Sequence, residues 1–330
     1  MLTTVLDVDT GIDDALALLL ALRSPELRVA AVTCVAGNVT LDQVLRNTLG
    51  VLAVAGAQDV PVAAGADRPL VRRLTTATFF HGEDGIGGIP LPAATNRPVA
   101  EPAAALLCRL AREHDGALNL VAVGPLTNVA LACRLDTSFP RRLRRLVIMG
   151  GAAAVAGNVT PAAEANFHND PEAAAIVFES GADVTMIGLD VTLRALFEAR
   201  RYHLLRDVVP QRGDAVARFA LQIMARYLEA DLAVGLEGSP LHDPLAVAAL
   251  AQPHLVRSRP LHVAIETSGQ LTAGQSVVNL AGVVERRESR GDHDDVVGLA
   301  HPAANCQVAL EVETAAFIDL FCTRLGLLPD

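Results

Sequence analysis

The sequence predicts an α/β fold: a single domain on a mainly parallel, mixed central sheet with helices on both faces. Three observations lead there. Strand, turn and helix patterns alternate five times before residue 190, a succession that builds parallel strands joined by helical crossovers. The 330 residues are 51% hydrophobic, ample for a buried core. No Ser/Gly/Pro-rich linker and no internal repeat divides the chain, so residues 1–330 read as one domain.

Residues 3–8 form a short, mostly apolar run with β-branched side chains, a strand; Thr10-Gly11 turns the chain, and residues 15–22 make an apolar helix. A second buried strand spans 27–35, and a helix runs from 41 to about 54. Residues 61–64 form a short strand. From 65 to 96 there is little periodicity, long for a passive connection, and HGEDGIGG at 81–88 has the composition of a mobile lid. A helix over 102–113, a strand over 118–123, the GPLTN turn into another helix and a strand over 146–149 follow. Asp170 caps a helix that has Pro171 at its first position. Residues 184–187 repeat the strand pattern before Gly188. The last third contributes a long helix over 213–231, a helix over 245–251 opened by Leu241 to Pro244, strands over 261–266 and 307–312, and a helix over 315–325. Open sheets of this kind bind ligands beyond the carboxyl ends of their strands, where Asp7, Asp9, Asn38, the 123–128 loop, Met149 and Asp190 converge.

The stretch LDVDTGIDDALALLLAL at 6–22 carries the chemistry. Asp7 and Asp9 are two apart at the end of a strand and share a face; Asp13 and Asp14 open a helix, where free N–H groups and the dipole favour carboxylates. Capping accounts for one or two such acids. Four, with no basic residue among them, repel one another and shift toward protonation unless a cation neutralises them. The stretch offers only oxygen donors, with no Cys or His, so the cation is expected to be hard: Ca²⁺ first, Mg²⁺ second, Zn²⁺ disfavoured.

A net charge of −10 and a pI near 5.4 argue against a nucleic-acid or anionic-membrane partner. All 27 basic residues are arginine. The five cysteines are scattered without metal-ligand spacing and read as small buried hydrophobes in a reducing compartment. Nothing at the start of the chain reads as a signal peptide, and the longest apolar run, 15–22, is far too short for a bilayer; a cytoplasmic protein is expected.

DVDTGIDDA at 7–15, VAGN at 35–38, HGEDG at 81–85, VGPLTN at 123–128, MGG at 149–151, GNVTPAAEANFHNDPEAA at 157–174, GLD at 188–190 and HDP at 242–244 occur in this order. With that spacing the chain resembles the inosine-uridine-preferring nucleoside hydrolases, calcium-dependent ribonucleoside N-ribohydrolases of Rossmann-like fold. The resemblance implies a cation held by Asp9, Asp14, the main-chain carbonyl of Val123 and Asp243. It implies substrate contacts from Asp13, Asn38, His81, Met149, Asn158, Glu164, Asn166 and Asp243, with Asp7 in support. Two residues depart from the family pattern: Thr10 stands where proline is usual, and Ala165 where some members carry an aromatic near the substrate.

Cleavage of an N-ribosyl bond passes through an oxocarbenium-like cation, so it needs an activated water and a hold on the sugar. Asp9 is expected to take the water's proton. The resemblance places His242 by the leaving base as proton donor. Asp231 aligns near a tyrosine that accompanies this histidine in other members, with Tyr227 one turn earlier; a carboxylate beside His242 is expected to raise its pKa. Few aromatics and Ala165 point to broad or pyrimidine-leaning specificity, and the family implies a homodimer or homotetramer. One alternative is a haloacid-dehalogenase-like phosphatase, although the hydroxyl residue after DVD falls one position early and no lysine is present. Another is a non-catalytic ribose- or nucleoside-binding protein, against which the retained Asp9 speaks.

Overall fold

Alternate residues of each central strand feed two different cores, as a sheet covered on both faces requires. The structure is a computed structural model that describes residues 1–281, 285–287, 298–300 and 302–328. In it Leu120 and Ala122 enter one core while Val121 and Val123 enter the other; Leu146 and Ile148 separate from Val147 and Met149 in the same way. Six parallel strands, β1 (Leu2–Val8), β2 (Leu27–Cys34), β3 (Val62–Ala64), β4 (Leu118–Ala122), β5 (Leu143–Met149) and β6 (Val184–Ile187), lie in the order β3-β2-β1-β4-β5-β6. Strand Cys306–Val312 continues the sheet parallel to β6, and Val256–Leu261 closes it as an antiparallel edge.

The direction of winding reverses between β1 and β4, since β2 and β3 lie on one side and β5 and β6 on the other. Such a reversal leaves a crevice at the carboxyl ends of the two strands. Asp7 of β1 pairs in register with Ala122 of β4, so the residues that follow, Asp9 on one side and Val123-Gly124 on the other, emerge next to each other.

Helix α1 (Ile12–Leu22) is buried from Ile12 to Ala21, because it touches the helices Leu41–Val54, Ala215–Ala233 and His242–Ala251 as well as the sheet. A helix apolar all round is stable only when enclosed in this way. Helices Ala103–His114, Thr127–Leu135 and Pro171–Phe178 cover the opposite face.

The strand read over 261–266 is in fact broken. Val256–Leu261 belongs to the main sheet, whereas Val263–Ile265 pairs with Ser276–Val278 in a separate ribbon. The cause is Asn305, whose side chain accepts from the Val263 amide at 2.8 Å and donates to the Val263 carbonyl at 2.9 Å, occupying the groups a continuing ladder would need. Within 65–96 the structure adds a short helix, Thr78–His81. Among the described residues no helix is long and apolar enough to cross a membrane.

Candidate active site

The turn from β1 into α1 is folded around the side chain of Asp14. Its carboxylate accepts from the Asp9 amide at 3.0 Å, the Gly11 amide at 2.9 Å and Asn38 Nδ2 at 3.1 Å, satisfying donors that the start of a helix otherwise leaves open. Asp9 follows the end of β1, and its Oδ2 accepts from the Asn38 amide at 2.7 Å. Asp7, deeper in the strand, is held by Asn128 Nδ2 at 2.8 Å and Thr33 Oγ1 at 2.5 Å. Asp243 enters from the first turn of helix His242–Ala251, which packs against α1.

These elements bring Asp13, Asp14 and Asp243 together, with one carboxylate oxygen from each within 4.8 Å of the others. Asp9 and Glu164 are close enough to repel Asp243. All five are buried. Burial, then mutual repulsion, raises Asp9 and Asp243 well above the carboxylate range; burial lifts Asp13 and Asp14 to about 6 and Glu164 to about 7. Asp9 Oδ1 and Asp13 Oδ1 have no hydrogen-bond partner among the described residues. Buried oxygens left unpaired in a ring of acids fit a hard, oxygen-seeking divalent cation.

The Val123 carbonyl accepts from Asn166 Nδ2 at 2.7 Å, and the same amide reaches the Met149 carbonyl at 3.2 Å. Glu164 caps the short helix Ala165–Asn169: its Oε1 accepts from the Asn166 amide, and its Oε2 from the Gly151 and Phe167 amides. Four predicted residues, Val123, Met149, Glu164 and Asn166, therefore form one hydrogen-bonded group. Asn158 stands apart; it is exposed, and its Oδ1 accepts from the Ala165 amide at 3.0 Å, tying the 157–165 loop.

His81 reaches the turn from the end of the short helix Thr78–His81, with Nδ1 accepting from the Ile12 amide at 3.2 Å and its ring stacked 6.4 Å from that of Tyr227. The Tyr227 hydroxyl points to Asp13 Oδ2 at 3.5 Å. His242 Nδ1 lies 2.8 Å from Thr192 Oγ1. The expectation that Asp231 raises the pKa of His242 is overturned. Burial, reinforced by His81, lowers His242 to about 4, and the Asp231 carboxylate is instead placed toward Ser239 and the field of Asp13.

Several residues that shape the site were not singled out from sequence. Thr192 carries no signal that connects it with a histidine fifty positions later. Gly37 and Gly124 lie inside the VAGN and VGPLTN motifs, yet only the fold shows that both face the Asp9 carboxylate.

The chain matches the family profile described as inosine-uridine preferring nucleoside hydrolase over residues 4–319. It is 40% identical over 327 residues to the pyrimidine-specific ribonucleoside hydrolase RihA of Enterobacter sp. (strain 638), covering 98% of each chain, and 40% identical to the protein of the same name from Citrobacter koseri, again over 98% of each. Among solved structures it superposes on the purine-preferring ribonucleoside hydrolase of Gardnerella vaginalis with a TM-score of 0.86, 32% identity and 98% coverage of both chains. A plant nucleoside hydrolase, PpNRh1, gives the same values. A match along nearly the whole chain sets aside the phosphatase and non-catalytic readings: the chain is a nucleoside hydrolase and belongs to the inosine-uridine preferring nucleoside hydrolase family.

Proposed function

We propose that the enzyme hydrolyses the N-glycosidic bond of ribonucleosides to ribose and free base, with calcium held by Asp9, Asp14, the Val123 carbonyl and Asp243, and with Asp9 as the base. The observation that carries this reading is the pair of unpartnered buried oxygens, Asp9 Oδ1 and Asp13 Oδ1, at the crevice between β1 and β4. When bound, the cation supplies Lewis acidity that brings the pKa of water toward neutrality.

The protein's own groups account for the other steps. The Asn38 amide fixes Asp9 Oδ2, so Oδ1 is the oxygen free to take a proton from the attacking water. The water oxygen bonds to the anomeric carbon as the C–N bond breaks, and the bonding pair leaves with the base. His242 donates a proton to that base, with His81 on the substrate side. Asp13, Asn38, Met149, Asn158, Glu164, Asn166 and Asp243 hold the ribose, carboxylates accepting from its hydroxyls and amides donating to them. Asn166 Nδ2 carries two hydrogens, given to the Val123 and Met149 carbonyls; with the Val123 carbonyl serving a cation, one would be released for a ribose hydroxyl.

Pyrimidine ribonucleosides are the preferred substrates in this reading, supported by the pyrimidine-specific relatives at 40% identity and by Ala165 in place of an aromatic. The whole chain, residues 1–330, acts as one hydrolase domain and assembles as a homodimer or homotetramer, as the family resemblance implies. The five free, buried cysteines support a cytoplasmic setting. The test is hydrolysis of a nucleoside panel with and without a chelator. Loss of activity on chelation, restored by calcium and greatest for uridine or cytidine, is expected; full activity in the chelator would overturn the metal assignment.

A further inference from the structure

Helix Leu41–Val54 lies behind the carboxylate turn, and its residue Asn47 is 1% exposed. Asn47 Nδ2 donates both of its hydrogens, one to the Thr10 carbonyl at 3.0 Å and one to the Asp84 carbonyl at 2.8 Å. Its Oδ1 accepts from Gln43 Nε2 at 2.9 Å. Thr10 stands between Asp9 and Gly11 in the turn; Asp84 belongs to the loop that follows His81. A single buried amide thus spans the two segments that form the site. No other side chain of this size offers two donors and an acceptor on one flat group.

The neighbouring contacts serve the same end. Thr48 Oγ1, one residue on, lies 2.6 Å from Thr10 Oγ1. The Asp84 carboxylate accepts from the Ile86 and Gly88 amides, which folds the loop on itself. Gly85, with φ +76°, sits against the bridge, since a Cβ there would lie 3.0 Å from Asn47 Nδ2. The loop is thereby tied to the turn at two places: through His81 to the Ile12 amide, and through Asn47 to Thr10.

We propose that Asn47 is a positioning residue for hydrolysis, holding the loop after His81 to Thr10 so that His81 stays in register with the carboxylates of the turn. The inference rests on the reading of His81 as a substrate-side residue. Without Asn47, a buried carbonyl on each segment loses its donor, and of the two side-chain ties between loop and turn only that of His81 to the Ile12 amide remains.

The test is a double-mutant cycle on the full-length, calcium-loaded enzyme, with Asn47→Leu, His81→Ala and the double variant assayed on uridine, together with hydrogen–deuterium exchange. Asn47→Leu is expected to lower kcat/KM ~10-fold in the parent enzyme and less than about twofold in the His81→Ala background, because the residue it positions is then gone. Amides of 82–88 should exchange faster while those of β1 to β6 keep their protection. Additive losses in the cycle, or unchanged exchange at 82–88, would overturn the proposal. If Asn47→Leu does not fold, Gly85→Ala applies the same test from the loop side and should show the same exchange and the same non-additivity. If His81→Ala alone leaves turnover intact, the substrate-side reading of His81 fails, and the exchange result decides whether Asn47 holds the loop.

Discussion

A Cβ on Gly37 would lie 2.1 Å from Oδ2 of Asp9, and one on Gly124 would lie 2.6 Å from Oδ1 of the same carboxylate. Asp9 therefore stands in a slot walled by two glycines and aligned by the Asn38 amide. Neither glycine needs a positive φ, so alanine at either place acts by crowding: first on the Asp9 carboxylate and, at Gly37, also on the Pro125 ring. Gly37→Ala should lower kcat by about 100-fold, the scale of a misplaced reacting group, with an unchanged far-ultraviolet circular dichroism spectrum. Near-normal turnover in that variant would show that the position of Asp9 does not limit the reaction.

Asp14 combines two tasks that a substitution exposes together. Asp14→Ala removes a carboxylate from the ring and also leaves the Asp9 and Gly11 amides without their acceptor, each loss costing about 1–3 kcal/mol if the group stays dry. Calcium binding measured by calorimetry and uridine hydrolysis should fall together, and the melting temperature should drop. A variant with full metal occupancy and full activity would remove Asp14 from the ligand set.

The raised pKa values predict how the metal-free protein responds to pH. Asp7 and Glu164 rise to about 7, and burial with mutual repulsion raises Asp9 and Asp243 well above the carboxylate range, so in this range the native state binds more protons than the unfolded chain. Stability must then fall as pH rises through the native values. His81 and His242, lowered to about 4, work the other way, but only between about 4 and their ordinary 6.5. From pH 6.5 to 8 the histidine contribution fades and the carboxylates outweigh it: the metal-free melting temperature should decline, and the increment on adding calcium should grow. Thermal scans at several pH values with and without a chelator check this; a metal-free melting temperature that climbs from pH 6.5 to 8 would contradict it.

Much of the fold was legible because buried parallel strands and their helices write long apolar runs. Helix Leu41–Val54 and strand Val184–Ile187 fall where periodicity puts them. The acids at 7, 9, 13 and 14 were legible as a group because four carboxylates without a basic neighbour need a compensating charge. What stayed hidden depends on contacts between distant residues. The break at His262 follows from Asn305, forty-two positions from Val263. Asn47 looks like any polar residue on an amphipathic helix until the chain places Thr10 and Asp84 on either side of it. The pKa of His242 was misread for a related reason: proximity in an alignment does not show which way the Asp231 side chain turns.

His242 provides the sharpest test of the chemistry. Its Nδ1 faces Thr192 Oγ1 at 2.8 Å, and its low pKa keeps the ring neutral near pH 7. It acts as an acid only once protonated to the imidazolium: Nδ1 then donates to the Thr192 hydroxyl, and Nε2 gives its proton to the leaving base, which returns the ring to its neutral form. A departing pyrimidine anion is a poor leaving group, and a positioned acid supplies about 10²- to 10⁴-fold. His242→Ala should lose that factor on uridine and inosine yet retain activity on p-nitrophenyl riboside, whose leaving group needs no proton. Thr192→Val, which removes the hydroxyl but keeps the volume, should move the nucleoside rates in the same direction by less. Equal loss on all three substrates would make His242 a packing residue and leave the base to depart by another donor.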